Sequence, residues 1–188
     1  MGRWEPDARG RLAKAALELY TQRGFDQTTV AEIAERAGLT KRTFFRHYTD
    51  KRDVLFSGSG HLQELVVDAV AGAPEPATPI AAVIAGLDAA AGLLQERWPD
   101  ARNRQAVITA NPELRERELI KLANLAAGIA AALRDRGVAD RAANLTAEAG
   151  IAAFRCGFED WVARPEPHDL ATLIRESLAE LRTATEAL

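Results

Sequence analysis

The sequence predicts an all-α protein of about nine helices, and three observations carry that expectation. Apolar residues recur at helical spacing from end to end, no stretch of useful length alternates as a strand would, and N-cap residues with Gly/Pro breaks divide the chain. The expected organisation is a three-helix head over residues 1–50 and a larger helical body over residues 51–188. The helix at about 51–70 is the expected connector.

The first helix is expected from about Pro6 or Asp7 to Arg23, with Leu12, Ala15, Ala16 and Leu19 as its apolar stripe and Gly24 ending it. Thr28 or Thr29 accepts from the free N–H groups of a second helix whose core face is Val30, Ile33, Ala34 and Ala37. Gly38 is the corner after it, because glycine enters the left-handed backbone region at little cost. Thr40 caps a third helix, Lys41 to Tyr48, on which Phe44 and Tyr48 lie one turn apart. Asp50 caps a fourth over about 51–70, crossed by Ser57-Gly58-Ser59-Gly60, which is either a kink or a hinge.

Gly72-Ala-Pro-Glu-Pro is a break, and Thr78-Pro79 supplies a cap and first-turn proline for a fifth helix ending near Arg97. Trp98-Pro99-Asp100 is read as another break before a short sixth helix, 101–110. Asn111-Pro112-Glu113 then starts a seventh that stops at Gly137, with a Glu113–Arg117 pair at i, i+4. The eighth helix, about 140–162, and the ninth, about Pro167 to Ala187, carry long apolar stripes separated by Arg164-Pro-Glu-Pro.

The second, Gly38 and third segments together read as a DNA-reading unit. Phe44 and Tyr48 occupy one side of the third helix while Lys41, Arg42, Thr43 and His47 point elsewhere, leaving a donor-rich face. A helix about 10–12 Å wide fits the major groove, and its first residues reach base edges in helix-turn-helix docking. Charge distribution agrees: residues 1–56 hold eleven Lys/Arg against eight Asp/Glu, whereas the whole chain is −3. A basic head on an acidic body is what a DNA-binding domain joined to another domain would show, although such asymmetry also describes an ordinary solvated surface.

Composition excludes other classes. One cysteine, Cys156, excludes an intrachain disulfide and a cysteine-based zinc site. No cofactor or metal is expected. The N-terminus lacks a long apolar stretch, so neither a signal peptide nor a membrane span is expected, and a cytoplasmic location follows as the expectation. An enzyme is disfavoured, since there is no Glu-x-x-His pair or nucleophile elbow and His47, His61 and His168 are scattered.

The stretch TTVAEIAERAGLTKRTFFRHYTDKRDVL, after a helix ending at Gly24-Phe25, resembles the N-terminal domain of TetR-family transcriptional regulators over residues 8–56. The resemblance implies that Thr29 and Thr40 contact phosphate, that Lys41, Arg42 and Thr43 read base edges, that His47 touches the DNA backbone and that Lys51 neutralises a phosphate. Thr28, Phe45 and Tyr48 complete the candidate DNA-contacting set. Many relatives carry a tyrosine, whose hydroxyl reaches a phosphate, where this chain has Phe45. Either Phe45 keeps the apolar part of that contact, or Tyr48 and Arg46 substitute. Arg9 and Arg11 either approach DNA or are exposed helix charges.

The body resembles the family in architecture, which implies a helix-turn-helix domain over residues 1–50, a ligand-binding and dimerisation domain over residues 51–188, and a homodimer through the eighth and ninth helices on a double-stranded operator. A two-fold dimer would set two reading helices about 34–36 Å apart on one face of DNA. The alternative is that those stripes serve only the monomer core. Residues 97–122 are similar to an actinobacterial subgroup that includes the mycofactocin-system regulator, implying an effector such as a fatty acyl-CoA or another hydrophobic compound. Arg97, Arg102 or Arg104 would then meet its phosphates, or else form a solvated face. Trp98, Phe154, Phe158 and Trp161 are the aromatics that either line a pocket or fill plain core. The function expected is a ligand-responsive repressor on a palindromic operator. The alternative is an activator, or a DNA-binding regulator without a small-molecule effector.

Overall fold

A computed structural model describes residues 7–186, and over them the chain forms ten α-helices and no strand. They are α1 (Ala8–Arg23), α2 (Val30–Arg36), α3 (Lys41–His47), α4 (Lys51–Leu55), α5 (Ser59–Ala71), α6 (Pro79–Gln95), α7 (Trp98–Ala110), α8 (Pro112–Asp135), α9 (Asp140–Ala163) and α10 (Leu170–Thr185). The start expected at Pro6 and the end expected at Ala187 lie outside the described residues.

Two departures from the expected elements have local causes. The single helix expected over 51–70 is two, because the chain tightens at its end: the N–H of Phe56 donates to the carbonyl of Asp53 and that of Ser57 to Val54, three residues back rather than four. Gly58, which would cost about 1 kcal/mol in a helix interior, follows at once, so α4 is not carried onward to Ser59, where α5 begins. Trp98-Pro99-Asp100, expected as a break, is instead the first turn of α7. Proline is harmless there, since a first-turn N–H has no intrahelical acceptor.

The chain divides into two compact units, and the expected boundary after residue 50 does not coincide with the division. The first unit runs to Gly58 and also includes Asn103–Glu116. Its core joins Leu12, Ala16, Leu19 and Tyr20 of α1 to Ile33 of α2, Phe44 of α3 and Val54, Leu55 and Phe56 at the end of α4. Val107, Ile108 and Leu114 belong to the same core. Burial of each such side chain stabilises by about 1.5–3 kcal/mol, which is why α4 sides with the head.

The second unit comprises Ser59–Arg102 and the chain from Arg117 onward. Within it α5 packs on α6, α6 on α9, and α9 on α10. Glycines set these approaches. A Cβ on Gly157 of α9 would stand 2.8 Å from the backbone nitrogen of Ile174 in α10, and one on Gly150 would stand 2.5 Å from Val83 Cγ1 in α6. A relay of hydrogen bonds ties the ends of four helices: Trp98 Nε1 donates to the carbonyl of Trp161 (3.0 Å), and Trp161 Nε1 to that of His168 (2.9 Å). Gln95 spans the same place, donating to His168 O and accepting from Leu170 N. Among the described residues no single helix is long and apolar enough to cross a membrane.

Candidate nucleic-acid interface

The corner between α2 and α3 is built from caps. Thr29, not Thr28, caps α2. Its hydroxyl accepts from Glu32 N and donates to Glu32 Oε2, while the Thr29 N–H donates to the same carboxylate. The Thr-x-x-Glu spacing of such a reciprocal cap was present in the sequence as Thr29 and Glu32 and was missed. These bonds, those from the Thr29 backbone first, hold the Glu32 carboxyl below its usual range, helped by Arg23. Gly38 then turns with φ +67°, and Arg11 Nη2 donates to the carbonyl of Ala37 at 2.8 Å, bracing the corner from α1. No spacing rule links residues 11 and 37, so this brace was invisible in the sequence.

The candidate residues fall into two groups. Lys41, Arg42, Phe45 and Arg46 are exposed on α3. At about 100° per residue, they follow one another around the helix in the order Lys41, Phe45, Arg42, Arg46, within an arc of about 140°. Phe44 lies outside that arc and is fully buried. Arg46 joins the outward face, whereas Thr43 turns toward the cap: its hydroxyl lies 3.0 Å from that of Thr40, which also accepts from Thr43 N. Thr40 is therefore the α3 cap that the sequence predicts.

The second group, Thr28, His47, Tyr48 and Lys51, is wholly or partly engaged within the head. Thr28 is 1% exposed and donates to the carbonyl of Gly24 at 2.9 Å. Tyr48 is buried, and its hydroxyl is spent on the carbonyl of Arg9 at 2.9 Å. The imidazole of His47 is half-buried with Nε2 enclosed and unpaired. Lys51 donates to the carbonyls of Phe25 (2.9 Å), Asp26 (3.3 Å) and Thr28 (3.1 Å), accounting for all three ammonium protons. Thr28, Tyr48 and Lys51 read as polar in sequence, and each is drawn in by backbone carbonyls. Arg9 likewise donates to Ser57 O at 3.1 Å.

Around the start of α4 the charges are set by hydrogen bonding. Partial burial raises the Asp50 carboxyl, but the Arg52 side chain and the backbone N–H groups of Asp53 and Arg52 outweigh it and hold the group below its usual range. Arg52 also reaches Glu113 at 3.4 Å, so Glu113 pairs with α4 across the first unit. The Tyr20 hydroxyl, buried and donating to Lys51 O at 2.6 Å, is pushed well above its usual range by desolvation and then by Asp50.

In the second unit the four candidate pocket aromatics come together. Phe154 stacks on Phe158 at 5.9 Å between centroids, Phe158 meets Trp161 at 5.7 Å, and Trp98 bonds to Trp161. Trp161 is fully buried. Arg102 lies over the Trp98 ring at 5.4 Å, while Arg104 belongs to the first unit and donates to Leu55 O.

Two family models match this chain: bacterial regulatory proteins of the tetR family over residues 12–57, and the MftR C-terminal domain over residues 77–186. TcmR of Streptomyces glaucescens, a helix-turn-helix transcriptional regulator, is 32% identical over 88 residues, 47% of this chain and 39% of TcmR. The match therefore spans about two-fifths of that relative's length. Thermus thermophilus FadR, a TetR-family repressor solved with lauroyl-CoA, is 26% identical with a TM-score of 0.60 over 94% of both chains. Bacillus subtilis FadR, solved with stearoyl-CoA, has a TM-score of 0.63 at 22% identity over 92% of this chain and 96% of that one, a likeness of fold. With a head and a body that both match, the chain belongs to the tetR family of bacterial regulatory proteins and carries an MftR-type C-terminal domain.

Proposed function

We propose that this protein is a transcriptional repressor that binds a palindromic DNA operator as a homodimer and is released by a small apolar or amphipathic effector. The observation that supports it best is the outward arc of α3, where Lys41, Arg42 and Arg46 are exposed on a helix braced from behind by Phe44 and Arg11. Three cations on the free face of a groove-sized helix suit phosphates and guanine edges. Lys41 and Arg42 read bases; Arg46 and the hydroxyls of Thr29 and Thr40 lie toward the backbone. Lys51, Tyr48 and Thr28 hold the head together.

The dimer forms through α9 and α10. Leu145 on α9 is 63% exposed and Leu181 on α10 is 38% exposed, which leaves apolar surface on both helices for a second copy. For the effector, an acyl-CoA is favoured by the lauroyl-CoA complex of T. thermophilus FadR. The aromatic cluster around Phe154 and Phe158 would meet its chain, and Arg97 or Arg102 its phosphates. These assignments imply a cytoplasmic regulator.

The test is binding of the purified protein to duplex DNA from its own upstream region, measured between 50 and 200 mM salt. Affinity is expected to fall steeply as salt rises, because phosphate contacts release counterions. Arg42→Ala is expected to relax base preference, at a cost of about 1–3 kcal/mol on the preferred sequence. Binding that ignores salt, or no binding to any duplex, would overturn the reading. Loss of the complex on adding lauroyl-CoA supports the effector class, and an unchanged complex refutes it.

A further inference from the structure

Phe45 is left unexplained by a set of phosphate and base hydrogen bonds. Among the described residues of the first unit it is the one large apolar side chain more than a third exposed, at 58%. Its pose is defined: the ring meets Phe44 edge-on, 5.5 Å between centroids and 81° between planes, and Phe44 is itself fully buried. Around α3 it sits between Lys41 and Arg42, in the middle of the cationic arc rather than at its margin. A phenylalanine there has no donor or acceptor for a phosphate or a base edge. The one apolar group that the major groove offers is the C5-methyl of thymine.

We propose that Phe45 is a specificity residue that reads one thymine in each half-site through its C5-methyl group. The inference rests on the DNA-binding reading above. It adds a base that the arginine and lysine of the arc do not choose, since those side chains favour guanine edges. Lys41 and Arg42, on either side, bring the ring against the groove. The edge-on contact with Phe44 limits where it can go, so the methyl contact carries positional information.

The experiment uses the full chain and duplexes selected by it from a randomised library. In a selected duplex each thymine is replaced singly by deoxyuridine, which deletes the methyl and leaves pairing intact. Wild type is expected to lose about three- to fivefold in affinity at one thymine per half-site, the worth of one buried methyl group. Phe45→Ala is expected to bind the parent duplex more weakly and to lose nothing further at that position, whereas Phe45→Leu keeps most of the sensitivity. The melting temperatures of both variants are expected to match wild type, because the ring is exposed. Indifference of wild type to every deoxyuridine, or equal sensitivity in Phe45→Ala, would overturn the assignment. Failure to select any duplex would instead bring down the DNA-binding reading, and this inference with it.

Discussion

The ammonium of Lys51 lies 2.9 Å from the carbonyl oxygen of Phe25 and 4.3 Å from the centroid of the same residue's ring. One side chain thereby closes the loop between α1 and α2 and is held over an aromatic face. Lys51→Met removes three charge-assisted hydrogen bonds and leaves carbonyls to water, so the head is expected to lose about 2 kcal/mol of stability. The salt slope of DNA binding, measured well below the melting temperature, is expected to be unchanged. A slope reduced by about one would mean that Lys51 meets a phosphate after all.

Glycines in the second unit are expected to respond with opposite signs. Gly157→Ala forces a methyl to within 2.8 Å of Ile174 N, against backbone that cannot rotate away, and is expected to destabilise by about 1–3 kcal/mol or more. Gly92, in the interior of α6 with nothing within 4 Å of a Cβ, is the counterpart. Gly92→Ala is expected to stabilise by about 0.5–1 kcal/mol through helix propensity. Chemical denaturation of both variants checks the pair.

Leu145→Glu tests the proposed seam. The residue is largely exposed in one chain, so the monomer fold is expected to tolerate the change within about 0.5 kcal/mol. Sedimentation equilibrium is expected to show dissociation at concentrations where wild type is dimeric. A dimer that persists would place the seam elsewhere, and Leu119 and Ile120 of α8, both more than half exposed, would be the next candidates.

Asp50 predicts a pH dependence of definite sign. Its carboxyl is held below the usual range in the folded protein, mainly because the Arg52 side chain and backbone N–H groups outweigh the desolvation that raises it. A lowered folded value means stabilisation above the unfolded pKa of about 4, lost as pH falls through the folded value. Asp50→Asn keeps a capping oxygen but no charge. Its stability deficit relative to wild type is expected to be constant above about pH 5 and to shrink below about pH 4; a deficit that grows with acid would contradict the assignment.

What was legible in the sequence is what is local. Thr40, Asp50 and Thr78 each bond a backbone N–H within three residues, and the expected caps are the observed ones. Gly38 turns where its left-handed φ was expected. The apolar stripe of α1 is likewise the buried one. The internal bonds of Lys51 and Tyr48 were not legible, because a lysine that ties three carbonyls and one that faces solvent are the same letter at the same spacing.

The sequence by itself determined the helical class, the corner and caps of the head, and the residues available to a reading face, since these depend on neighbours within one or two turns. Tertiary structure alone decided which of those residues face outward. Lys51, Tyr48 and Thr28 are drawn inward by carbonyls from 4 to 39 residues away, while Lys41, Arg42, Phe45 and Arg46 stay exposed. It also decided that α4 belongs with the head, because Val54, Leu55 and Phe56 find apolar partners there.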